Sequence, residues 1–274
     1  MEPSLYSLPA TPSLGLMRSL PILLCAAALL GAAETAPLDH AKYAAALKAF
    51  RQGAGATVAA LTDPSPEIRR AAVDDLRERL VDEPASPLAA QVGGALGKVD
   101  VETARLLLAA LAEAKATTTA PQVAALAAKK DSPLQAEAAL ALAEIGGAKA
   151  VPVLAGLAKD EAIAEEVVNA LAKVSGPGVT EAFNAGIRDA KAELPGRFAL
   201  IKAAVTRNNR AVAAALCVAI LEEPMRLESQ KALLKLASPA DLPALRQAEQ
   251  AVANAATKAA LGRLIAKLEK PEGK

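Results

Sequence analysis

The sequence predicts an all-α fold built from repeated helix pairs, and three observations carry that expectation. Ala, Leu and Val supply most of a 53% hydrophobic content, whereas aromatics make up 2% of the chain and Trp is absent. Ala and Leu are strong helix formers, and the β-branched and aromatic runs that suit strands are scarce. The stretch from Asp131 to Ala158 holds one full cycle: an Ala/Leu helix ends at Gly146-Gly147, and a new helix opens around Pro152. Finally, leucines near the ends of successive second helices recur at Leu76, Leu111, Leu142, Leu171, Leu200, Leu233 and Leu261, in steps of 35, 31, 29, 29, 33 and 28 residues. A near-constant period of this size marks helix pairs that bury their faces against their neighbours, and predicts an α-α superhelix of about seven pairs with an extra N-terminal helix.

Taken in order, the chain opens with Met17-Arg18, the 11-residue apolar run Leu20 to Leu30, and then Gly31-Ala32-Ala33. A basic residue, an apolar stretch and small residues suited to cleavage after Ala33 resemble a Sec-type bacterial signal peptide. The run is shorter than the roughly 20 residues that span a bilayer. Residues 1–33 are therefore expected to be a removable export signal, with the sixteen residues before Met17 a start-site extension. An uncleaved anchor is the competing reading. Leu23 and Leu24 stand where a lipoprotein signal before Cys25 would need small residues. The expected location is periplasmic or secreted, with no stable membrane insertion after cleavage.

Residues 34–55 read as a short linker and a capping helix from Asp39 to Arg51, with Asp39 placed as its N-cap. Tyr43, Leu47 and Phe50 fall at i, i+4 and i+7, one apolar stripe. Helix pairs then occupy residues 56–270. Pro121, Pro152 and Pro243 each stand at the head of an apolar run, where the first helical turn tolerates proline because its N–H would be unpaired anyway. Stops fall at Gly146-Gly147, Gly176-Pro177-Gly178 and Ser238-Pro239. The last helix, about Val252 to Lys270, is basic toward its C-terminus, as the helix dipole favours, and residues 271–274 read as a flexible tail.

The run L-T-D-P-S-P-E-I-R-R-A-A, Leu61 to Ala72, resembles the inter-helix turn of HEAT repeats. The period is shorter than the ~40 residues usual for that family. It is more similar to the short bacterial HEAT-like repeats of the phycobilisome-lyase type. The resemblance covers about Ala56 to Lys270 and implies a HEAT/armadillo-like solenoid. It places Asp63 and Arg69 on the family's paired Asp and Arg positions and implies structural roles, the carboxylate capping the second helix and the guanidinium tying neighbouring turns together. At the Arg position of the other repeats stand Ala104, Gln135, Ala164, Glu193, Arg226 and Asn254, so the Asp/Arg ladder reads as present once and otherwise lost.

The composition offers little chemistry. Charges nearly cancel, 31 basic against 30 acidic residues, which argues against nucleic acid as the partner. His40 is the only histidine and stands near the mature N-terminus, and Cys217 is the only mature thiol, read as a small buried apolar residue. No set of ligands for zinc or haem and no calcium loop results, so no metal, cofactor or catalytic residue is expected. The acidic pairs Asp74-Asp75, Glu165-Glu166 and Glu222-Glu223 point about 100° apart on a helix and read as solvated faces. Arg207, Arg210, Arg226 and Arg246 read as scattered charge, with an anion-binding stripe as the alternative.

The expectation is a non-enzymatic scaffold or adaptor that binds a protein on the concave, second-helix face, with Arg69, Arg70, Glu102 and Arg105 as candidate contacts. With Trp absent and Tyr scarce, the interface should be polar and weak. A tetrapyrrole-attachment factor like the phycobilisome lyases, or a structural Ala-rich helical envelope protein, are the alternatives.

Overall fold

A computed structural model describes residues 39–270. The stretch read as an export signal, Cys25, the expected linker from Glu34 and the tail from Pro271 lie outside the described residues. Within them there are fifteen α-helices and no strand. α1 is His40–Gln52, immediately after Asp39. Seven pairs follow: α2 (Ala54–Ala60) with α3 (Pro66–Asp82), α4 (Pro87–Ala95) with α5 (Val101–Glu113), α6 (Ala120–Ala127) with α7 (Gln135–Ile145), and α8 (Ala150–Leu157) with α9 (Ala164–Lys173). α10 (Val179–Arg188) pairs with α11 (Leu194–Thr206), α12 (Ala213–Ala219) with α13 (Arg226–Leu236), and α14 (Leu242–Ala251) with α15 (Ala255–Leu268).

Packing follows chain order in two rows. The first helices α2, α4, α6, α8, α10, α12 and α14 each pack on the next of their kind. The second helices α3, α5, α7, α9, α11, α13 and α15 do the same, and α1 packs on α2 and α3. One buried cluster runs through all of the pairs and is dominated by Ala, Leu and Val. Small side chains let the helices close in. At Gly196 a Cβ would come within 2.6 Å of the Ala155 carbonyl oxygen, so only glycine lets α11 approach α8. In α1, Phe50 is buried and Tyr43 packs against the core, but Leu47 is left 36% exposed, so the stripe is buried at one end only.

Helix starts and stops have local causes. Pro121, Pro152 and Pro243 all lie in first turns. Gly147 takes φ +52° just past α7, and Gly176 and Gly178 are also left-handed. Lys115 (φ 54°) and Asn208 (φ 51°) end α5 and α11 in the same conformation without glycine. Behind them Ala116 N–H donates to the Leu111 carbonyl and Asn209 N–H to the Ala204 carbonyl, the long bond of a Schellman cap.

The cap of α3 differs from the role implied by the HEAT resemblance. Ser65 is the N-cap, its Oγ accepting from Ile68 N–H, while the Asp63 carboxylate accepts instead from Ser65 N–H at 2.8 Å and Lys42 Nζ at 2.9 Å. Asp63 thus shapes the turn one step ahead of the helix. Burial alone would raise its pKa, but the bonds from Lys42 and Ser65 and the charges of Lys42 and Arg69 outweigh that and hold it below the ordinary carboxylate value.

Candidate functional site

The second-helix row is the candidate interface, and its polar joints decide which side chains remain free. Arg69, in the first turn of α3, donates through Nη1 to the carbonyl oxygens of Asp63 (2.7 Å) and Pro64 (3.0 Å). Its Nε meets Asp100 Oδ2 at 2.9 Å and Thr103 Oγ1 at 3.2 Å. Asp100 is the N-cap of α5, accepting from Thr103 N–H, so one arginine ties its own turn to the head of the next second helix. Burial opposes ionisation of Asp100, but the Thr103 bonds and the Arg69 charge prevail and depress its pKa.

The same joint recurs at every second interface. Arg197 in α11 is 1% exposed, donates to the Ile187 carbonyl at 2.7 and 3.0 Å, and grips Glu222 in a fork at 2.6 and 2.8 Å. The Arg197 hydrogen bonds lower the Glu222 pKa against the effect of burial. Between α7 and α9, buried Gln135 donates to Asp160 Oδ2 at 3.3 Å. In each case the acceptor lies four residues ahead of the next helix's own joint position: Asp100 before Ala104, Asp160 before Ala164, Glu222 before Arg226.

This corrects the ladder expected from the leucine markers. Arg69, Ala104, Arg197 and Lys258 are each the fourth residue of their helix, while Gln135, Ala164 and Arg226 open helices that a turn precedes. In the fifth and seventh pairs the joint residues are therefore Arg197 and Lys258, one helical turn beyond Glu193 and Asn254. The ladder is not lost after the first pair. It alternates, with a polar joint at the first, third and fifth interfaces.

Two of the acidic pairs are also not simply solvated. Asp75 accepts from Thr57 Oγ1 at 2.8 Å and from Arg79 Nε at 2.7 Å, and Arg79 reaches the Phe50 carbonyl at 2.9 Å, so this carboxylate ties α1, α2 and α3 together. Glu222 serves Arg197. The spacing to Arg79, four residues along one helix, was the available signal for Asp75.

The candidate contact residues divide. Arg69 is committed to the joint. Arg70 is exposed and forms no ion pair among the described residues. Glu102 and Arg105 pair at 3.1 Å, and Arg105 also meets Glu137 of α7 at 2.9 Å, over a shallow 240 Å3 groove between α5 and α7. The four arginines read as an optional stripe are scattered in their duties. Arg207 donates to the Val174 carbonyl and lies 5.3 Å over the Phe183 ring, Arg246 pairs with Glu269, Arg210 is exposed, and Arg226 holds a buried Nε without a hydrogen-bond partner among the described residues.

On the first-helix side a 590 Å3 cleft opens between α8 and α10 over the head of α11. Small residues such as Ala155, Gly186 and Gly196 line it, and Lys159 and Glu193 face each other across the rim at 3.6 Å. Cys217 is 5% exposed, and burial first, then the Asp241 charge, pushes its thiol up to about 12, so it is not a nucleophile at neutral pH. His40 is exposed at the head of α1. Among the described residues no three acid, His or Cys side chains gather as metal ligands, and no helix is long and apolar enough to cross a membrane. No family model and no curated protein matches the chain.

Proposed function

We propose that the chain is an exported, non-enzymatic adaptor: a HEAT-like α-α superhelix of seven helix pairs, capped by α1, that binds a protein on the face of its second helices. The observation that carries this reading is the unbroken packing of second helix on second helix from α3 to α15, which offers one continuous surface across seven elements. Exposed Arg70 on α3 and the Glu102–Arg105 pair on α5 are the contacts assigned to the N-terminal part of that surface. Arg69 is left out of the contact set, because its guanidinium is spent on the joint to Asp100.

The test is an affinity pull-down with residues 34–274 from envelope extract of the native organism, followed by hydrogen exchange of the recovered complex. A dominant partner that protects second helices and not first helices supports the reading. A well-folded chain that recovers no partner, or one protected only along the first helices, overturns it.

A further inference from the structure

Net charge conceals a segregation along the second-helix row. α3, α5 and α7 together carry nine acidic and five basic residues. α11, α13 and α15 carry one acidic and eight basic. The change is positional as well as numerical. Five residues past the joint position the first three helices hold Asp74, Ala109 and Leu140, and the last three hold Lys202, Lys231 and Arg263. Nine residues past it the sets are Glu78, Glu113 and Glu144 against Thr206, Lys235 and Lys267.

The two ends also differ in what is already neutralised. Glu113 pairs with Arg77, Glu137 with Arg105 and Glu144 with Lys115. At the C-terminal end Arg197 is bound to Glu222 in the joint and Lys231 pairs with Glu228 of its own helix, while Lys202, Lys235, Arg263 and Lys267 are exposed and form no ion pair among the described residues. Between these cations α13 presents Leu227 and Leu234, 60% and 54% exposed and seven residues apart, two turns along one stripe with Lys231 between them. They are the two most exposed large apolar side chains among the described residues.

From this arrangement we infer that the face of α11, α13 and α15 docks an acidic protein segment with apolar anchors, one that seats two hydrophobic side chains against Leu227 and Leu234 and sets carboxylates against Lys202, Lys235 and Lys267. This rests on the adaptor reading and specifies its partner. Complementary charge guides such an encounter, and the leucines supply the burial that charge alone does not. A second copy of the chain is a poor occupant, because the carboxylates of its acidic end are largely spent on their own arginines and lysines. Nucleic acid is also disfavoured, since no exposed aromatic lies among the cations for bases to stack on.

The test is fluorescence anisotropy of the full chain with a labelled peptide of about fifteen residues, Leu at helical i, i+3 and i+7 positions and Glu elsewhere. Controls are the same peptide with Lys for Glu, the same with Ser for Leu, phosphatidylglycerol vesicles and a DNA duplex. The Glu/Leu peptide should bind best and weaken with salt. Binding should fall about tenfold or more in the triple variant Lys202→Glu/Lys235→Glu/Lys267→Glu, and likewise in Leu227→Ser/Leu234→Ser. Lys98→Glu/Lys130→Glu should leave it unchanged, and all variants should keep the wild-type melting curve. Equal binding by the triple variant, preference for vesicles or duplex, self-association that competes with the peptide, or no binding to the Glu/Leu peptide overturns the inference. If the native partner instead protects only α3 and α5, this inference fails and the adaptor stands. If it protects no second helix, both fail.

Discussion

The two ends of the second-helix row use similar helices in opposite ways. In α3, α5 and α7, arginines and carboxylates interlock from helix to helix: Arg69 with Asp100, Arg77 with Glu113, Arg105 with Glu137. In α11, α13 and α15 a single buried arginine does the joining, and the surface is left with unpaired cations and exposed leucines. The lesson is that a polar side chain at one repeat position can serve cohesion in one pair and recognition in another. Which role it takes depends on whether the next pair offers a carboxylate within reach.

The largest expected effect lies at the C-terminal joint. Replacing Arg197 by Ala removes a 1% exposed guanidinium and leaves the Ile187 carbonyl and Glu222 without their donor. Breaking a buried pair by removing one partner should cost about 3 kcal/mol, read as a drop in urea midpoint, and Arg197→Met should recover part of it by keeping the packing. Arg69→Ala should cost less, about 1–2 kcal/mol, because that guanidinium is partly solvated and Asp100 keeps its cap bonds to Thr103. Equal losses at the two sites would remove the contrast drawn between the ends.

Acid should separate the ends in the other direction. Asp63, Glu67 and Asp100 at the N-terminal end have folded pKa values below their ordinary 3.8, 4.5 and 3.8, and at the C-terminal end Glu222 is lowered from 4.5. A carboxylate whose folded pKa is depressed contributes stability above its ordinary value and loses it as pH falls through the folded one. Below about pH 4, therefore, α3 and α5 should lose hydrogen-exchange protection before α13 and α15. Uniform loss would show that the pairs unfold as one unit under acid, however their charges are placed.

How much of this was legible follows from the geometry of helices. Helix existence and the first-turn prolines were readable because Ala/Leu composition and proline each act locally. The register in the fifth and seventh pairs was not. Leu200 and Ala204, like Leu261 and Ile265, lie one turn apart on one buried face, so periodicity alone does not choose between them. That slip hid Arg197, Lys258 and with them the alternation of the ladder. The stops at Lys115 and Asn208 were invisible for another reason: no glycine marks them, and the Schellman bonds hold the backbone left-handed without one. Charge segregation was masked because the total sums to nearly zero and adjacent residues face different ways, so it emerges only when the helices are aligned on their joints.

A gain is expected where the C-terminal end falls short of the N-terminal pattern. Arg226 occupies the joint position of α13, yet its buried Nε has no hydrogen-bond partner among the described residues, and the residue four places ahead of Lys258 is Asn254, a neutral side chain spent on capping α15 through Thr257. Asn254→Asp keeps the cap, since Asp serves that position as well, and offers Arg226 the carboxylate that Asp100 offers Arg69. A stabilisation of about 0.5–1 kcal/mol should follow, and it should vanish in the Arg226→Ala background if the new pair is its source.

The smallest expected effect tests whether the interlocked surface pairs at the N-terminal end contribute cohesion at all. Arg77 and Glu113 are each about half exposed although they join α3 to α5. Exposed pairs gain little Coulomb energy and lose side-chain freedom, so Arg77→Ala should cost about 0.5 kcal/mol or less and become neutral in molar salt. If that holds, the N-terminal end is held by Arg69, Asp75 and its apolar core, and its surface pairs act mainly to discharge the face. That would leave the cationic C-terminal end as the more strongly charged stretch of the row. A cost near that of Arg69→Ala would instead make the surface pairs part of the joint, and the contrast between the ends would then be one of cohesion as much as of charge.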